Sequence, residues 1–200
     1  MSGFPILCVT DRTLCAPRFL AQVEAIAAAH PAGLILREKN WPEADYQALA
    51  SDVLRICTRY DVPCILHTFV GAAKALGVKY IHLPLPVLRA QSKQDLAGFD
   101  AIGVSCHSVA EALEAQALGA TYLTAGHIFL TTSKPGLPGR GLAFLQEVTR
   151  AVSLPVYAIG GITADRVPEL QATGAAGACL RSSLMLAPDP AAELHPYQEV

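Results

Sequence analysis

Charge is scarce in this chain. Only 16% of its 200 residues are Asp, Glu, Lys or Arg, and the net charge is −2. With an isoelectric point near 6.3, no basic surface is available to recruit nucleic acid. Long apolar runs are missing too: none approaches the roughly 20 residues that cross a bilayer, so no membrane partner is expected. The opening residues Met1-Ser2-Gly3-Phe4-Pro5 lack the basic stretch of a secretory signal. Metal-type cysteine spacing is absent. Cys8, Cys15, Cys57, Cys64, Cys106 and Cys179 form no Cys-x-x-Cys, and four of them sit inside apolar runs. They read as buried thiols in a reducing, cytoplasmic setting, with no metal site. Dinucleotide loops, P-loops, Gly-x-Ser-x-Gly elbows and His-Glu-x-x-His helices are all wanting. So are the paired strand-end carboxylates that a magnesium-diphosphate site would want. No cofactor is implied.

What the chain has in quantity is apolar sequence: 52% of residues, with a mean hydropathy of +0.35. Eight β-rich runs recur at 4–10, 33–38, 62–67, 80–83, 101–106, 121–128, 155–159 and 177–180. They are continuously apolar rather than alternating, as strands buried on both faces should be. Helical segments separate most of them, clearest at 17–29, 42–60, 109–118 and 141–152, with shorter candidates at 70–76 and 164–172. Ser108 and Glu111 have the spacing of a capping box. Leu83-Pro84-Leu85-Pro86 suggests an irregular turn. The alternation predicts a parallel (β/α)8 TIM barrel, one domain over residues 1–200. A miscount by one element would instead give an open doubly wound sheet.

In such a barrel, reactive groups collect where strands end and feed the βα loops. Four of the six histidines fall at strand ends. Gly160-Gly161 and Ser182-Ser183 follow the seventh and eighth strands, the loop pair that often holds phosphate; the plainer reading is a tight turn and a helix cap. Arg37 and Lys39, two apart, share a face that demands an anion or an internal carboxylate such as Asp11. His107 is the candidate proton carrier, against a role as a strand-end helix cap. His67 and His127 are candidate polar contacts or structural histidines, and His82 reads as structural. After Gly126-His127-Ile128-Phe129, the segment 131–140 reads as a βα loop, with Thr131, Ser133, Lys134 and Arg140 able to face an anion. A water-excluding lid is the corresponding expectation.

Taken in order, four motifs resemble the thiamin phosphate synthase/TenI superfamily. They are Leu36-Arg37-Glu38-Lys39, Gly103-Val104-Ser105-Cys106-His107-Ser108, the run from Gly126 to Lys134, and Ala158-Ile159-Gly160-Gly161-Ile162. The resemblance extends from Ile6 to Ser183. Its synthase branch joins a pyrimidine diphosphate to a thiazole phosphate using magnesium. That branch typically has a glutamine two residues before the arginine, an Asn-Asp pair ending the third strand, and an aspartate after a His-Leu-Gly-Gln of the fourth. Here those places hold Ile35, His67-Thr68 and the stretch from Pro84 to Val87. The other branch, the TenI-type thiazole tautomerase, needs no metal, and its Gly-His-Val/Ile-Phe and Lys-x-Gly-Leu-x-Gly-Arg-Gly run is similar to 126–141. The resemblance therefore implies an isomerase that aromatises a small phosphorylated thiazole carboxylate. His107 would carry the proton, Gly160, Gly161, Ser182 and Ser183 would hold the phosphate, and Arg37 with Lys39 would meet the carboxylate. Thiamin phosphate synthesis with altered diphosphate contacts and a non-catalytic regulatory barrel are the alternatives. The family's habit of pairing makes a homodimer possible.

Overall fold

In a computed structural model describing residues 3–38 and 41–200, eight parallel strands close into a barrel in sequence order. They are β1 (Ile6–Val9), β2 (Gly33–Leu36), β3 (Cys64–His67), β4 (Tyr80–Pro84), β5 (Ala101–Cys106), β6 (Tyr122–Gly126), β7 (Val156–Ile159) and β8 (Gly177–Leu180). The ladder from β1 to β8 completes the circuit, with Leu7 opposite Cys179. Around it run α1 (Phe19–Ala28), α2 (Glu43–Arg59), α3 (Val70–Ala75), α4 (Leu85–Arg89), α5 (Lys93–Leu96), α6 (Val109–Ala117), α7 (Gly141–Ala151), α8 (Val167–Ala172), α9 (Ser182–Leu186) and α10 (Pro190–Gln198). The barrel is the one predicted, and the open sheet is excluded.

Two layers of apolar packing explain why the strand runs do not alternate in polarity. Ile6, Cys8, Leu34, Leu36, Val104 and Cys106 point outward into the main core beneath the helices. Leu7, Val9, Ile35, Ile65, Tyr122 and Cys179 point inward and fill the barrel's centre. Each strand is thus buried on both sides, with period two separating the layers. Inward positions nearer the strands' C-terminal ends change from apolar to polar: His67, His82, Ser105 and Thr124. That change creates the site. All six cysteines are free and buried. Among the described residues, no helix is long and apolar enough to cross a membrane.

The segment after β4 departs from expectation. In place of an irregular turn it forms α4 and α5, with Pro86 in the first turn of α4, where proline's missing N–H costs nothing. Ser92 and Asp95 cap α5 reciprocally. The chain's end forms α10, whose Asp189 carboxylate accepts from the Ala191 and Ala192 N–H groups. At α6, Ser108 accepts from the Glu111 N–H at 3.1 Å. The return half of the box reaches one residue further back, where Glu111 accepts from the His107 N–H at 2.6 Å.

Candidate active site

The C-terminal ends of the strands surround a cavity of about 610 Å³. Its walls contain Arg37, His67, His107, Gly126, His127, Thr131, Ser133, Lys134, Gly160, Gly161, Ser182 and Ser183. Of the sequence-predicted site residues that the structure describes, all but Arg140 converge on one mouth. Lys39 lies outside the described residues.

On the β7–β8 side the wall is mainly backbone. Gly160 and Gly161 have φ of +100° and +67°, left-handed conformations that glycine adopts without penalty. A Cβ on Gly160 would stand 2.4 Å from the His127 Cβ, and one on Gly161 2.4 Å from the Leu130 carbonyl oxygen. The turn is therefore pressed against the base of the loop after β6. Arg181 sits between β8 and that loop. It pairs with Asp11 at 3.2 Å and hydrogen-bonds the Ser133 hydroxyl. This removes Asp11 as the internal carboxylate offered as an alternative partner for Arg37: Asp11 is committed to Arg181.

Arg37 consequently has no carboxylate partner among the described residues. Its backbone N–H donates to Thr10 Oγ1 at 2.9 Å, while its side chain enters the cavity wall. Burial and the nearby Arg181 charge press its pKa down, opposed by Asp11 and Glu38. A half-buried cation with no carboxylate in direct contact is costly until an anion arrives. Glu38 cannot relieve it by contact, because Glu38 accepts from the Arg12 N–H at 3.2 Å. Burial also raises the Glu38 pKa.

The floor lies under β3–β6. His67 places its Nδ1 2.6 Å from Thr68 Oγ1, and its ring stacks on His82 with centroids 5.6 Å apart. His82, read from sequence as structural, is held on both nitrogens. Nδ1 lies 3.1 Å from the Tyr122 hydroxyl and Nε2 2.8 Å from Ser105 Oγ. Burial and the Arg37 charge push its pKa down to about 3, so the ring is neutral. Ser105, Thr124, Thr132 and Arg181 also line the cavity. Ser105 was missed as a site residue; the period-two continuation from Ala101 through Gly103 to Ser105 and His107 is the signal that could have found it.

His107 is exposed, on the rim. Its Nδ1 lies 2.9 Å from the Gly126 carbonyl oxygen. A carbonyl only accepts, so Nδ1 carries a proton and donates. The loop 131–140 is fastened at its base. Arg140 donates through Nε to the Gly126 carbonyl at 3.2 Å, and its backbone N–H donates to the His127 carbonyl at 2.9 Å. His127 Nε2 reaches the Leu137 carbonyl at 3.3 Å. A Cβ on Gly139 would collide with the Ile128 carbonyl oxygen at 2.4 Å. Arg140, expected to face an anion, instead closes the loop.

Fold and mouth define a class: a (β/α)8 barrel gathering a cation-bearing, hydroxyl-rich cavity at its strands' C-terminal ends. Residues 6–184 match the family described as thiamine monophosphate synthase, and the chain belongs to that family. It is 35% identical over 179 residues to the thiamine-phosphate synthase of Clostridium tetani, covering 88% of this chain and 86% of that protein. The synthase of Salinispora arenicola is 38% identical over 177 residues, covering 86% and 85%. The structure of thiamine phosphate pyrophosphorylase from Pyrococcus furiosus superposes with a TM-score of 0.83 at 28% identity, covering 98% of this chain and 94% of that one.

These relatives overturn the tautomerase expectation, and with it the assignment to the isomerases. That expectation rested on the departures at Ile35, His67-Thr68 and the stretch from Pro84 to Val87 and on the run 126–141, and the run has another physical explanation. Gly126, His127, Leu137, Gly139 and Arg140 of that run are occupied in fastening the loop: Arg140 to Gly126, His127 to Leu137, Gly139 against Ile128. Such a motif specifies how a loop is held and does not report which reaction takes place beneath it.

Proposed function

We propose that this barrel is a thiamine-phosphate synthase, a transferase that joins a phosphorylated thiazole to a pyrimidine diphosphate. The bond between the two rings forms as the carbon–oxygen bond to diphosphate breaks, and diphosphate leaves with the bonding electrons. The observation that carries this reading is the 31–38% identity to thiamine-phosphate synthases over most of the barrel. The cavity supports it. Gly160, Gly161, Ser182 and Ser183 present a compact wall of backbone and hydroxyl groups suited to the thiazole's phosphate. Arg37, Lys134 and Arg181 supply the positive charge that a departing diphosphate needs. His107 turns its Nε2 toward the substrate at the rim.

Magnesium, which the synthase branch uses, fits these residues poorly. It prefers oxygen ligands, usually with one or two carboxylates, and the cavity wall contains no aspartate or glutamate. Asp11 is paired with Arg181 and Glu38 with the Arg12 N–H. Among the described residues, no three His, Cys, Asp or Glu side chains cluster suitably for a metal. Leaving-group charge in this chain therefore falls chiefly to side-chain cations.

The test is incubation with both substrates, with magnesium or with a chelator, and quantification of thiamine phosphate. Product is expected, and removing Arg37 should reduce the rate more than chelation does. No product under either condition, with substrates shown to bind, would dismiss the reading.

A further inference from the structure

We infer that Tyr122 is a positioning residue: acting through His82, it turns the Ser105 hydroxyl into an obligatory hydrogen-bond donor aimed at the bound substrate. The inference rests on the synthase reading only for the identity of the substrate.

The register places the three elements side by side. His82 is opposite Gly103 across β4 and β5, and Gly103 is opposite Tyr122 across β5 and β6. All three face the barrel interior. Glycine at the middle position lets its neighbours meet over it. A Cβ there would stand 2.1 Å from Tyr122 Cζ, 2.3 Å from its hydroxyl oxygen and 2.4 Å from His82 Nδ1. The Tyr122–His82 hydrogen bond occupies the space that any other residue at position 103 would fill.

Proton direction follows from what each buried group can reach. Tyr122 is 8% exposed, and its hydroxyl has one hydrogen-bond partner among the described residues, His82 Nδ1 at 3.1 Å. If Nδ1 carried the proton, the buried phenolic O–H would have no acceptor, a desolvation cost that native structures avoid. Tyr122 therefore donates, Nδ1 accepts, and the neutral ring keeps its proton on Nε2. Nε2–H then donates to Ser105 Oγ at 2.8 Å. Thr124, 4% exposed, makes the same choice: its hydroxyl donates to Ser105 Oγ at 3.2 Å. With two donors on its oxygen, Ser105 has no inward acceptor for its own proton. Ser105 lines the cavity, so that proton points to whatever sits on the floor. The groups facing His82 are Tyr122, Ser105, the stacked His67 ring and the Arg37 charge, and none is an anion that would protonate the ring.

The arrangement selects substrates presenting an acceptor atom to the floor, such as an unprotonated ring nitrogen, and disfavours those presenting an N–H. Tyr122→Phe keeps the ring's bulk and removes only the group that holds the His82 proton on Nε2; in the share of molecules whose ring then carries it on Nδ1, Ser105 donates to Nε2 instead. The donor aimed at substrate is then lost.

The experiment has two readouts. Proton–nitrogen correlation spectra of the ligand-free protein report the His82 tautomer, Nε2–H being expected in wild type and a shift toward Nδ1–H in Tyr122→Phe. Steady-state kinetics with thiazole phosphate and the pyrimidine diphosphate should give about a three- to tenfold loss in kcat/KM for Tyr122→Phe and for Ser105→Ala. The double variant should be no worse than Ser105→Ala alone, because both substitutions remove the same bond. An Nδ1–H wild-type ring, or additive losses with an unchanged tautomer, would overturn the inference. The spectrum needs no turnover: a wild type that fails to join the substrates while showing Nε2–H removes the synthase reading and leaves the relay standing.

Discussion

The two sides of the mouth are built on different principles. On the β7–β8 side the cavity wall is largely local: Gly160-Gly161 and Ser182-Ser183 are adjacent pairs in short turns, shaped by their own φ angles and by contact with one neighbouring loop. On the β4–β6 side the polarity is long-range. His82, Ser105, Tyr122 and Thr124 lie 19 to 40 residues apart in hydrogen-bonded pairs, and they meet only because strand register sets them side by side. A turn can hold an anion with backbone N–H groups whatever the rest of the barrel does. A side-chain relay exists only once the barrel is closed. Damage to the turn should therefore appear first as lost stability and anion affinity, and damage to the relay as lost discrimination.

The comparison breaks most visibly at Gly160. Gly160→Val combines a left-handed backbone with a collision against His127, and should lower unfolding free energy by about 3–5 kcal/mol. Denaturant titration measures this, and a loss under 1 kcal/mol would show the turn to be less tightly seated. Arg37→Ala should keep the fold and lower kcat/KM by about 10²–10³-fold, the scale of one charge-stabilising donor lost from a closed site. Arg37→Lys should recover only part of this, because a point charge does not reproduce the guanidinium fork.

His82 gives a smaller effect, read in pH. Its folded pKa of about 3 lies below the ordinary histidine value near 6.5. As pH falls below about 6.5 the unfolded chain takes up a proton that the folded chain refuses. Stability should therefore decline between about pH 6.5 and 3, by up to about 1.4 kcal/mol per unit from this group. His82→Gln should flatten that slope in urea titrations, and identical slopes would contradict the burial argument. Ser133→Ala, which unties the loop from Arg181, should cost less than about 1 kcal/mol and raise KM for the phosphorylated thiazole by a few-fold.

The same division explains how much was legible in the sequence. The eight strands were readable because both-face burial gives each an unbroken apolar run, and the glycine and serine pairs because turn chemistry is local. Most of the departures have non-local causes. His82 looks structural until Gly103 and Tyr122 are known to flank it. Asp11 belongs to Arg181 because β8 adjoins β1 only when the barrel closes. Leu83-Pro84-Leu85-Pro86 reads as a breaker, yet proline also fits a helix's first turn, and tertiary packing chose the helix. The loop motif at 126–141 misled in a different way: Gly126, His127, Gly139 and Arg140 fasten the loop, and a fastening resembles chemistry when only the sequence is visible.

The most direct measurement is the stoichiometry of the joining reaction. Wild-type protein given both substrates should release diphosphate and thiamine phosphate in equal amounts, each at a rate about 10²-fold or more above that of folded Arg37→Ala. Diphosphate released without thiamine phosphate, or equal rates in the two proteins, would contradict the proposal that this mouth joins two phosphorylated rings by stabilising a departing diphosphate.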